Sequence, residues 1–180
     1  MALILLRHLR PDVAEGMCYG VTDLDLAPGY AAVLEALLVT LPVVDGVVTS
    51  PLRRCEMLAQ AIAARRGLIA MPDARLCEMN FGAWEGRLWS DIPREELDAW
   101  AAEFLHARPH GGESVAMLQT RAQAALAEHA ARPGTQLLVT HAGFIKAALA
   151  TGPRAEDWPA ALAFGEFVTI CPQTGVPDAQ

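Results

Sequence analysis

Two histidines stand in matching settings far apart in the chain. Leu3-Ile4-Leu5-Leu6 runs into Arg7-His8, and Leu137-Leu138-Val139-Thr140 runs into His141-Ala142-Gly143. A neutral imidazole is a nucleophile and a protonated one is a charged donor, so a pair meeting in one pocket can both attack and hold an anion. A third apolar run, Val47-Val48-Thr49-Ser50, leads into Pro51-Leu52-Arg53-Arg54 and brings cations to a comparable place. Arginine grips oxyanions through a fork of N–H donors, which makes phosphate the guest that suits this set.

Phosphoryl transfer needs an in-line nucleophile, cations against the equatorial oxygens and a proton for the departing alkoxide. His8 can attack phosphorus and become a phosphohistidine, dividing one displacement into two. Arg7 and Arg53 supply the charge, and His141, if protonated, adds a third donor. Glu78 is the candidate acid for the leaving group and then the base that activates water. No metal or other cofactor is required, because the arginines neutralise the charge. Plainer readings stand beside these. A lone His after a strand is more often structural, but two with matched Arg partners reverse that preference. Glu78 alone could be a surface carboxylate, and Glu85 is its competitor, better suited to supporting a loop. Thr22 either touches substrate or phosphate or caps a turn locally, and Arg54 reads as a solvated neighbour of Arg53. Glu113-Ser114 could equally start a helix, and His106, His110 and His129 have no partner pattern.

The elements that must position these groups alternate between strand and helix, the pattern of a sheet covered on both faces. The apolar runs before His8 and His141 read as buried strands, and ligands bind outside the carboxyl ends of such strands. A helix is expected from Pro28 to Leu41, stopped by Pro42, then a strand from Val43 to Thr49. Pro51 opens a second helix whose inward stripe, Leu58, Ala61 and Ile62, reaches Arg66, with Arg53 in its first turn facing the strand ends. Leu68 to Met71 reads as a short edge strand. Residues 79–112 form a lid or loop region: Asn80 to Arg94 is rich in Gly, Trp and Pro, and a helix follows from Arg94 to His106. A further helix spans Glu113 to Ala131, a strand Gln136 to Thr140, a helix Ala142 to Ala150 and a last strand Phe164 to Ile170. A loosely held tail over residues 172–180 closes one domain of 1–180.

Composition narrows the partners. The chain has 180 residues, 53% hydrophobic and 19% charged, which suits one domain with a sizeable core. Its 14 Lys plus Arg against 21 Asp plus Glu give a net charge of −7, which repels nucleic acid and anionic membrane surfaces. Cys18, Cys55, Cys77 and Cys171 lack metal-site spacing and read as reduced thiols of a cytoplasmic protein. The opening apolar residues read as a strand rather than a signal peptide, and no stretch is long enough to span a bilayer. The expected partner is a small phosphorylated metabolite, and apolar residues such as Ala160 to Phe164 could contribute to a homodimer.

Six segments together resemble the histidine phosphatase superfamily, the phosphoglycerate mutase-like family. They are Leu5-Leu6-Arg7-His8, Gly20 to Leu26, Thr49 to Cys55, Cys77 to Gly86, Gly111-Gly112-Glu113-Ser114, and Val139 to Gly143. The Phe81 to Gly86 segment looks most like the alpha-ribazole phosphatase branch. The resemblance implies a three-layer α/β/α sandwich around a mostly parallel sheet, with catalysis on Arg7, His8, Arg53, Glu78 and His141. It implies a metal-independent phosphatase for a small monoester, alpha-ribazole 5'-phosphate being one candidate. A phosphoglycerate mutase or a non-catalytic phosphate-ligand binder is the alternative. One departure stands out: Leu9 occupies the place of the family's usual glycine after the nucleophile, and Arg10 follows, adding positive charge at the pocket mouth.

Overall fold

Leu3 and Leu5 point one way from the first strand and Ile4 and Leu6 the other, and all of them are buried. A strand buried on both faces must carry helices on both, and the computed structural model, which describes residues 2–159 and 161–171, has that arrangement. Strands β1 (Ala2–Arg7), β2 (Gly46–Thr49), β3 (Ala70–Pro72), β4 (Thr135–Thr140) and β5 (Phe167–Ile170) form one sheet in the order β3-β2-β4-β1-β5. The first four run parallel, and β5 pairs antiparallel with β1 at the edge.

Helices α1 (Tyr30–Thr40) and α2 (Arg53–Arg66) pack on the Ile4 and Leu6 face with Val47, Leu137 and Val139. On the opposite face α4 (Val115–Ala130) and α5 (Ala142–Leu149) cover Leu3, Leu5, Val48 and Leu138. The expected three-layer α/β/α sandwich is therefore the observed fold. The chain leaves β1 across one face and leaves β4 across the other, although β1 and β4 are neighbours. Two adjacent parallel strands whose onward connections diverge to opposite faces leave a crevice at their carboxyl ends, the place where open α/β sheets bind ligands.

Several boundaries shift from the expected ones. Helix α1 starts at Tyr30 rather than Pro28 because Gly29 is left-handed, at φ 86°. Strand β2 begins at Gly46, since Asp45 instead receives the Thr135 N–H on its carboxylate at 2.7 Å. Strand β5 begins at Phe167 because Gly165, at φ 78°, turns the chain just before it. Between β3 and α4, residues 79–112 hold α3 (Arg94–Ala102) and short 3₁₀ turns at Gly82–Trp84 and Trp89–Asp91. This region is packed rather than loose: Trp84 is buried, its ring set edge-on against Trp100 at 5.6 Å and His110 at 4.7 Å. The tail expected over residues 172–180, and Ala160 in the suggested dimer segment, lie outside the described residues.

Candidate active site

His8 and His141 each follow the last residue of a neighbouring parallel strand, so the register that pairs Arg7 with Thr140 brings both rings to one level. Their centroids are 5.1 Å apart in an edge-on arrangement, and both side chains are buried. The Nδ1 of His8 lies 2.6 Å from the carbonyl oxygen of Leu9. A carbonyl only accepts, so the network places the ring proton on Nδ1 and leaves a lone pair on Nε2. Burial, with Arg54 and Arg7 adding to it, pushes the His8 pKa down to about 3, so the ring is neutral over the physiological range. Leu9 reaches this position without a left-handed backbone, and its side chain is buried against Gly165, where an added Cβ would come within 2.8 Å of Leu9 Cδ2.

The arginine beside His8 is Arg54, and the expected placements of Arg53 and Arg54 are exchanged. Helix α2 begins at Arg53, and successive helical residues point roughly 100° apart, so only one of the pair can face the strand ends. Arg53 faces outward, its side chain 58% exposed and paired with Asp25 at 2.7 Å, while its N–H binds Asp23 Oδ1. Arg54 has no exposed surface. Its Nε donates to His8 Nε2 at 3.3 Å, and its terminal nitrogens donate to the carbonyls of Gly20 at 2.6 Å and Thr22 at 2.8 Å.

Arg7 stands on the other side of the histidines. Its guanidinium lies 3.9 Å from the centroid of Phe164, a cation–π contact, and Nη1 donates to Leu162 O. Its Nε is buried and has no partner among the described residues. The carboxylate of Glu78 accepts from its neighbour's Met79 N–H and from the Gly143 N–H, both at 2.9 Å. Gly143 sits in the first turn of α5, whose N-terminal amides favour negative charge. His141 Nε2 lies 2.8 Å from Ser50 Oγ and 3.4 Å from Cys55 Sγ. Burial holds the His141 pKa well below its ordinary value, and His8 and Arg54 press it the same way, so the expected third cation is a neutral ring here.

The remaining candidates take lesser places. Thr22 gives its hydroxyl and its N–H to Glu85, whose carboxylate also accepts from Val21 and Phe81. Glu85 is thus the loop support and Thr22 is held away from a free binding role. Arg10 is exposed at the mouth, where its side chain makes no hydrogen bond or ion pair among the described residues. It borders a recess of about 330 Å³ shared with Tyr19 and Phe164. Ser114 caps α4 by accepting the Met117 N–H, which settles Glu113-Ser114 as a helix start. His129 is buried against Asp73 at 2.8 Å, and His110 lies in the tryptophan cluster. Among the described residues no group of three or more His, Cys, Asp or Glu is placed to hold a metal ion. Among the described residues no helix is long and apolar enough to cross a membrane.

One functional residue escaped the sequence reading. Arg121 of α4 donates to the carbonyls of Arg75, Cys77 and Glu78 at 2.6–2.9 Å and pairs through both Nε and Nη2 with Glu113. It thereby clamps the segment that carries Glu78. No local spacing signals such a contact, because Arg121 lies 43 residues from Glu78 in the chain.

A buried neutral histidine, two arginines and a carboxylate gathered at the switch point of a doubly wound sheet make a site suited to phosphoryl groups. The sequence model of the histidine phosphatase superfamily (branch 1) matches residues 3–161, and the chain belongs to that superfamily and is a histidine phosphatase-type enzyme. Phosphoserine phosphatase 1 of Hydrogenobacter thermophilus is 29% identical over 143 residues, 76% of this chain and 68% of that protein. The adenosylcobalamin/alpha-ribazole phosphatase of Salmonella typhimurium is 30% identical over 72% of this chain and 68% of its own length. A probable phosphoglycerate mutase of Klebsiella pneumoniae is 35% identical over 53% of the chain, which spans only 46% of that relative. Among solved structures, a mycobacterial glucosyl-3-phosphoglycerate phosphatase complexed with VO3 superposes with a TM-score of 0.76 at 30% identity. That match covers 93% of this chain and 91% of that one.

Proposed function

We propose that the chain hydrolyses small phosphate monoesters through a phosphohistidine on His8. The observation that carries this reading is the Nε2 lone pair of His8, fixed by the Nδ1 bond to Leu9 and lying 3.3 Å from the Arg54 guanidinium. In the first step Nε2 bonds to phosphorus, the ester P–O bond breaks, and Glu78 gives its proton to the departing alkoxide. In the second, Glu78 takes a proton from water, which attacks phosphorus and frees His8 and inorganic phosphate. Arg54 and the unpaired Nε of Arg7 supply donors to the nonbridging oxygens. His141 closes the remaining side, and an arriving anion offers it a counter-charge. The phosphatases among the relatives, and the mycobacterial phosphatase complexed with VO3, support an oxyanion at the site.

The natural ester is open within this reading. Alpha-ribazole 5'-phosphate has in its favour the two relatives that carry that name, and the net charge of −7 disfavours nucleic acid and anionic membranes as partners. Cytoplasmic residence agrees with four unpaired cysteines among the described residues, and a homodimer is a further possibility for apolar surface near Phe164. The mutase reading rests on the relatives so named. Phosphate release to water with no transfer to a second alcohol separates the two. His8→Ala should abolish both turnover of p-nitrophenyl phosphate and acid-labile phosphate on the protein while the folded circular dichroism spectrum persists. Turnover by that variant at the wild-type rate would refute the mechanism.

A further inference from the structure

A cavity of about 190 Å³ adjoins Glu78. Its walls are mostly apolar, with Phe81, Trp100, Phe104 and Trp158 beside Met79, Val115 and Leu118, and Phe104 and Trp158 pack edge-on at 5.3 Å. Two charged side chains border it, Glu78 and Lys146. Lys146 is the chain's sole lysine, half-buried, and it makes no ion pair or hydrogen bond among the described residues.

The placement of those two charges is fixed by α5. Gly143, whose N–H holds the Glu78 carboxylate, and Lys146 are three residues apart and so share one face of the helix. The helical rise puts Lys146 about 4.5 Å further along the axis than Gly143. The leaving oxygen of a bound ester has to lie against Glu78, because that group gives it a proton. Whatever is attached to that oxygen and enters this cavity meets apolar and aromatic walls and the Lys146 side chain that borders the same space. An apolar cavity of about 150 Å³ takes a benzene ring, so the space here has room for one six-membered ring with a substituent. A lysine with no partner among the described residues, bordering that space, selects an anionic substituent.

We infer that the preferred substrate is the phosphate monoester of an alcohol bearing a single aromatic ring with a carboxylate-type anion on it, seated in the cavity that Glu78 and Lys146 border. This rests on the phosphatase reading of the site and names the substrate class for it. Flat rings fit because they offer a face and an edge to the surrounding aromatic side chains.

The test compares benzyl phosphate with its para-carboxylate, 4-(phosphonooxymethyl)benzoate, using the whole protein. The wild type should show a kcat/KM roughly tenfold or more higher for the carboxylated ester, the scale of one charge-assisted contact. In Lys146→Met that ratio should fall to about one, and Lys146→Arg should restore part of it. Trp158→Leu should raise KM for the carboxylated ester more than it lowers kcat, as loss of a wall does. Equal kcat/KM on the two esters in the wild type would overturn the inference while leaving the phosphatase reading intact. So would faster turnover of alpha-ribazole 5'-phosphate than of either. Failure to hydrolyse these esters and p-nitrophenyl phosphate alike would overturn both.

Discussion

A guanidinium with no exposed surface has to satisfy its N–H groups internally, and Arg54 does so against the Gly20 and Thr22 carbonyls and the His8 ring. Those bonds use the planar fork, so an ammonium in the same place cannot reproduce them. Arg54→Lys should lower kcat/KM on p-nitrophenyl phosphate by roughly 10²-fold, while Arg53→Met should change it less than about threefold, because an exposed pair such as Arg53–Asp25 contributes only about 0–1 kcal/mol. Steady-state kinetics on the two purified variants decide it, and equal losses would contradict the assignment. The sequence displays Arg-Arg at a helix start and thus a cation at the strand ends. It does not display which of the two turns inward, because that depends on helix phase. With Leu52 as the N-cap, Arg54 faces His8; a start one residue later would rotate the pair and bring a different side chain in.

At the scale of elements, Glu78 is positioned from two directions. The first turn of α5 offers the Gly143 N–H to its carboxylate, and Arg121 of α4 holds the carbonyls on either side of it together with Glu113. A Cβ at Gly143 would come within 2.3 Å of Glu78 Oε1, so Gly143→Ala must displace the carboxylate. If Glu78 is the proton donor, its displacement matters for an alkoxide leaving group and little for nitrophenolate, which departs unaided. Gly143→Ala and Arg121→Met should therefore lower kcat on an alkyl phosphate by roughly 10–10²-fold and on p-nitrophenyl phosphate several-fold less, the same signature as Glu78→Gln. Arg121→Lys should recover part of the loss, and thermal melts should show each variant folded. A uniform loss on both esters would make these positions structural only. The strand and helix order was legible because apolar runs end at Pro42, Pro51 and Gly67, which punctuate locally. The Arg121 clamp was not, since a contact spanning 43 residues leaves no periodic trace.

For the molecule as a whole, the site is a liability to stability in acid. His8 and His141 are buried as neutral rings, the first with its pKa pushed to about 3 and the second well below its ordinary value, in both cases chiefly by desolvation. In the unfolded chain each returns to about 6.5. Below that pH the unfolded state binds protons that the folded state refuses, so the unfolded state is favoured as pH falls. Stability contributed by the neutral pair is fully present above about pH 6.5 and declines continuously toward pH 3, at up to about 1.4 kcal/mol per pH unit for each ring. Asp73 enters only lower down. Burial pushes it up, but hydrogen bonds from Arg75 and His129 outweigh that and hold its carboxyl below the ordinary range, so its contribution is lost only as pH drops through and below about 4. Urea unfolding of the wild type should therefore lose stability steadily from pH 7 to pH 5. His8→Asn, which has no proton to refuse at that position, should show a slope shallower by about one proton. Inorganic phosphate should raise stability at every pH by binding the folded state alone. A wild-type stability that stays flat from pH 7 to pH 5 would mean the histidines charge freely in the fold, and the neutral nucleophile on which the chemistry depends would be lost with it.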